Sequence, residues 1–94
     1  MFMVLLVDDE PFIIQGLKVL IDWEQEGYMI AGTASNGKEA YDFLKIESVD
    51  LIIADIQMPV MTGLDLQEAI RKENLSNAYF VILSGYADFE YARR

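Results

Sequence analysis

Neither cysteine nor histidine occurs anywhere in the 94 residues, and the two absences remove several chemistries at once. Without cysteine there is no disulfide framework and no thiolate metal site, which fits a cytoplasmic protein. Without histidine the commonest general base is missing, and with it the Ser/His and Cys/His nucleophile pairs. Any chemistry here must come from carboxylates, hydroxyls or a metal ion. Basic residues are scarce too: 7 Lys and Arg stand against 16 Asp and Glu, a formal charge of −9. Nucleic-acid phosphates repel such a chain, so any contact with DNA is expected from another domain. No apolar run approaches the roughly 18 residues of a membrane span. The opening MFMVLLVDDEP has no basic residue before its apolar stretch, and acids follow where a small-residue cleavage site would stand, so it reads as a strand and no membrane contact is expected. A hydrophobic fraction of 53% with 12% aromatics excludes disorder and fits one domain over residues 1–94.

What is present alternates regularly. Phe2 to Val7 is a Val- and Leu-rich strand ending in Asp8, Asp9 and Glu10, and Pro11 suits the first position of a helix, where a missing N–H costs nothing. Apolar residues from Phe12 to Trp23 (Phe12, Ile13, Leu17, Leu20, Ile21) recur near helical spacing, and Gly27 is expected to close that helix. Tyr28 to Ala34 is a second strand. Asn36 with Glu39 three residues later resembles a capping box and starts a second helix, with Ala40, Phe43 and Leu44 toward the sheet. Asp50 to Ala54 is a continuous apolar run, as in a strand buried on both faces, and Asp55 sits at its carboxyl end. Thr62 with Asp65 repeats the capping pattern, and Glu68 and Lys72 stand four apart in the favourable order on the third helix. Ala78 to Leu83 is a fourth strand ended by Ser84 and Gly85, and Tyr86 to Arg94 begins a further helix. Strict β/α alternation implies an α/β fold with a parallel sheet and right-handed crossovers.

Polar groups stand at three strand tips: Asp8 and Asp9, Asp55, and Ser84. In a flavodoxin-like, doubly wound order 2-1-3-4 the first and third strands are neighbours, so the three aspartates share one crevice. Two carboxylates about 4 Å apart repel by roughly 4 kcal/mol at an effective dielectric near 20, so three of them demand a cation. An oxygen-only donor set favours a hard divalent ion, and Mg²⁺ suits best. A metal beside a carboxylate at a strand tip is the arrangement for phosphoryl transfer to that carboxylate. Asp8 and Asp9 then hold the metal, Asp55 accepts the phosphoryl group, and Ser84 senses it. The plainer readings are a solvated acidic loop for residues 8–10, a turn residue for Ser84, and loop punctuation for Pro59 and Gly63.

The segments LVDDEP, DLIIADIQMPVMTGLDL and VILSGYADFEYA resemble the receiver domain of bacterial two-component response regulators, along the whole chain and with the acids in register. The resemblance implies that a sensor histidine kinase phosphorylates Asp55. It also implies that Asp9, Asp55 and the backbone carbonyl of Gln57 bind Mg²⁺ directly, that Asp8 assists through water, and that Ser84 is the switch hydroxyl. It implies a signalling module that catalyses only its own phosphoryl uptake and loss. LIDWEQEGY and ILSGYADFEYA also look like receivers attached to AraC-type helix-turn-helix output domains, which implies transcriptional control and DNA contact through a domain absent here. Three features depart from the family. Thr62 stands where Asp is common, and the family's fifth strand with its lysine and switch aromatic, and its last helix, fall beyond Arg94. A chain ending there is expected to associate along its open edge strand, as a homodimer or larger species. Three rival readings remain beside it. A flavodoxin needs a hydroxyl- and glycine-rich phosphate loop where this chain has acids. A phosphatase with an Asp nucleophile needs a second acid where Gln57 stands. A receiver-fold interaction module that is never phosphorylated stays open because the lysine is missing.

Overall fold

The apolar hexapeptide Phe2–Val7 forms β1, and its residues Val4, Leu5, Leu6 and Val7 are 0–1% exposed, so this strand is covered on both faces and lies inside the sheet. The computed structural model describes residues 1–55 and 61–83. Chain order is β1, α1 (Pro11–Leu20), β2 (Tyr28–Ala34), α2 (Gly37–Ile46), β3 (Leu51–Asp55), α3 (Gly63–Glu73) and β4 (Tyr79–Leu83). The four strands pair in the order β2-β1-β3-β4, all parallel. This is the α/β flavodoxin-like arrangement expected from the alternation. Alternate residues of the central strands point to opposite layers. Leu5, Val7, Ile52 and Ala54 pack with Ala40, Leu44, Leu66 and Ile70 of α2 and α3, while Val4, Leu6 and Ile53 pack with Ile14 of α1.

The first helix differs from its sequence reading in length and in face. It ends at Leu20, not Trp23, because the chain leaves helical geometry at Ile21 (φ −112°, ψ 127°) and the Trp23 indole N–H donates back to the Leu17 carbonyl at 3.0 Å. Its inward face carries Ile14 and Leu17, whereas Phe12 is 88% and Leu20 84% exposed. Gly27 takes a left-handed φ of 87° and its carbonyl accepts the Phe2 N–H at 2.9 Å, so it closes the turn into β2. Asp50 lies just ahead of β3, where its carboxylate accepts the Met3 N–H at 2.7 Å. Glu68 and Lys72 do not pair; the ion pair among the described residues is Lys38–Asp42, also four apart.

Candidate functional site

Val7 of β1 pairs with Ala54 of β3, so the next residue along each strand direction, Asp8 and Asp55, emerges at the same end of adjacent strands. One carboxylate oxygen from each of Asp8, Asp9 and Asp55 can be chosen so that all lie within 4.8 Å of one another. The parallel pairing thus gathers residues 47 positions apart in sequence, as the strand-tip argument requires. Asp8 is buried, Asp55 half-buried and Asp9 exposed. The Asp8 N–H donates to the Ala34 carbonyl at 3.0 Å, which continues the β1–β2 ladder one rung past the strand end. Its Oδ1 accepts the Glu10 N–H at 2.9 Å, capping the approach to α1 in place of a Glu10 side-chain cap.

Burial pushes the Asp8 carboxyl up from 3.8 to about 6; the Glu10 N–H opposes this, and the charges of Asp55 and Asp9 add to it. A carboxyl kept partly protonated beside two other acids is in excess negative potential, and a bound cation relieves it. The donors are carboxylate oxygens with no nitrogen or sulfur among them, which matches a hard divalent ion such as Mg²⁺. Oxygens gathered within 4.8 Å of one another are close enough to share one ion with bonds of about 2.1 Å after small side-chain adjustments. The residues present therefore fit Mg²⁺.

Ser84 and the carbonyl of Gln57 lie outside the described residues. Thr62 is described: its Oγ1 accepts the Asp65 N–H at 3.1 Å and the Asp65 carboxylate accepts the Thr62 N–H at 3.3 Å, a complete capping box that starts α3. The pairing of Ser35 with Glu39 beside the acids escaped the sequence reading. A hollow of about 300 Å³ next to Asp8 and Asp9 is lined in part by Lys18, Ser35 and Glu39. The Glu39 carboxylate accepts both the N–H (2.9 Å) and the hydroxyl (2.8 Å) of Ser35, which hold it below its usual range. The expected box at Asn36 is thus shifted: Asn36 Oδ1 accepts the Glu39 N–H at 2.8 Å, but Glu39 answers at Ser35. Only the cap pattern at residues 36 and 39 hinted at this clamp.

The family model described as the response regulator receiver domain matches residues 4–94. The transcriptional regulatory protein YesN of Bacillus subtilis is 39% identical over 93 residues, 99% of this chain and 25% of YesN. The REC domain of AraT, a response regulator from Geobacillus stearothermophilus, superposes with a TM-score of 0.87 at 33% identity, covering 98% of this chain and 70% of that one. The response regulator TrrA of Thermotoga maritima, solved in complex with Mg²⁺ and BeF, gives 0.80 at 38% identity over 97% of this chain and 76% of TrrA. The chain spans between a quarter and about a third of the length of the curated relatives it matches (25% and 36%).

Proposed function

This chain belongs to the response regulator receiver domain family, and from that premise we propose that Asp55 accepts a phosphoryl group from a sensor histidine kinase and thereby controls an output domain. The observation that carries the reading is the convergence of Asp8, Asp9 and Asp55 at the tips of β1 and β3. An Asp55 carboxylate oxygen attacks phosphorus, the bond from phosphorus to the donor's imidazole nitrogen breaks, and that nitrogen keeps the electron pair. Asp9, Asp55 and the backbone carbonyl of Gln57 would hold Mg²⁺, with Asp8 acting through water. Bound there, the ion supplies positive charge against the phosphoryl oxygens. Asp8 is held beside Asp9 and Asp55 by the Glu10 N–H at its carboxylate and by the Ala34 carbonyl at its own N–H. The Ser84 hydroxyl reports the phosphoryl group to the rest of the domain. The name of YesN, a transcriptional regulatory protein, supports a transcriptional output, and the charge of −9 is the reason to expect any DNA contact from another domain. The cytoplasm, where the kinase's catalytic part and DNA are both reached, is the compartment this reading requires.

Incubating the protein that carries this domain with a small-molecule phosphodonor and Mg²⁺ should add one phosphoryl group by intact mass. The gain should vanish in Asp55→Asn and under chelation. Uptake that persists in either case contradicts the assignment, and no uptake by the unaltered protein favours an interaction module that is never phosphorylated.

A further inference from the structure

Gly37 follows Asn36 directly, and a glycine after asparagine leaves its backbone nitrogen unshielded for attack on the asparagine side-chain amide. The other asparagines, Asn74 and Asn77, precede Leu75 and Ala78. In the folded chain Asn36 is extended (φ −161°, ψ 173°) and its Oδ1 is held by the Glu39 N–H at 2.8 Å. Closing a five-membered ring requires Cγ to swing onto the Gly37 nitrogen, which takes the side chain off that N–H and displaces Gly37. Two contacts oppose the movement. Glu39 clamps Ser35 through its N–H and hydroxyl, at 2.9 and 2.8 Å. Gly37 is buried so closely that a Cβ there would lie 2.6 Å from the Met61 carbonyl oxygen.

We propose that Asn36 is a deamidation site whose reaction is gated by opening of the first turn of α2. The Gly37 nitrogen gives its proton to solvent and its lone pair attacks Asn36 Cγ. The Cγ–Nδ2 bond breaks, ammonia leaves with a proton from solvent, and a succinimide remains. Solvent water then opens either carbonyl, giving aspartate or isoaspartate at position 36. Aspartate keeps the cap, since its carboxylate also accepts the Glu39 N–H. Isoaspartate inserts a main-chain carbon two residues after Ala34, whose carbonyl holds the Asp8 N–H at 3.0 Å, so that product disturbs the acidic crevice. This inference stands on the geometry of the cap and does not depend on phosphorylation.

The test is incubation of the chain at mildly alkaline pH, native and in urea, followed by proteolysis and mass spectrometry of the peptide holding residues 36 and 37. Isoaspartyl methyltransferase labelling identifies the second product. The expected result is amide-to-acid conversion at Asn36 with both products, at least about tenfold slower in the native chain than in urea. Native Glu39→Ala should convert roughly fivefold faster, the factor corresponding to one lost cap interaction. Ser35→Ala removes only the hydroxyl contact, reads the same gate if Glu39→Ala does not fold, and should give a smaller acceleration. Faster conversion at Asn74 or Asn77, equal rates in native and unfolded chains, or no acceleration in a folded variant would each overturn the proposal.

Discussion

A carboxyl that is 5% exposed and shares its crevice with two other acids is a poor place for negative charge, and Asp8 answers by keeping its proton up to about pH 6. That property has a sign. The folded pKa lies above the ordinary 3.8, so the folded state binds the extra proton between the two values. Stability from this group is fully present below the ordinary value and is lost as pH rises through about 6. In chelator, the urea midpoint should therefore fall between pH 5 and pH 7.5, by an amount of order 1 kcal/mol. Asp8→Asn should flatten that dependence, and at pH 7.5 it should stabilise the metal-free fold by about 1 kcal/mol while weakening Mg²⁺ binding at least about tenfold. Asparagine retains an oxygen for the Glu10 N–H, so the comparison isolates charge. An Asp8→Asn variant no more stable than its parent without metal would count against repulsion within the cluster. The same proton competes with the ion, and Mg²⁺ titrations at pH 5.5 and 7.5 should show tighter binding at the higher pH.

At the scale of elements, α3 depends on the reciprocal bonds of Thr62 and Asp65. Thr62→Ala should cost about 1 kcal/mol of unfolding free energy. Leu66, wholly buried where α3 meets the sheet, should cost about 2–5 kcal/mol when cut to Ala, read from denaturant midpoints. How far the elements were legible follows from their patterns. β1 and β3 announced themselves because strands covered on both faces need unbroken apolar runs, and the capping residues Asn36 and Thr62 marked two helix starts by their hydrogen-bonding chemistry. The inward face of α1 was not legible. Phe12, Ile13, Ile14, Leu17, Val19 and Leu20 surround that helix with apolar groups, so period alone cannot choose Ile14 and Leu17 over Phe12 and Leu20. Its end was hidden for a related reason. Trp23 continues the apolar pattern but is placed by an indole hydrogen bond to Leu17, a contact that spacing does not encode. The gathering of Asp8, Asp9 and Asp55 was legible once strand order was inferred, because parallel neighbours deliver their tips to one edge. The Ser35–Glu39 clamp beside them depends on side-chain geometry at a single turn.

At the scale of the whole sheet, β4 stands at one end of the strand order among the described residues, with Tyr79 82% and Val81 43% exposed. An apolar strand at a sheet edge invites pairing with another chain. Inside the same sheet, at the adjoining tips of β1 and β3, Asp55 meets Asp8 and Asp9, and Asp55 is the one of the three proposed to accept the phosphoryl group. Borohydride reduction converts an aspartyl phosphate to homoserine at the residue that carried it, and peptide mass spectrometry locates that residue. After treatment with phosphodonor and Mg²⁺, homoserine should appear at position 55 alone. Homoserine at position 8 or 9, or at any other aspartate in place of 55, would contradict the account.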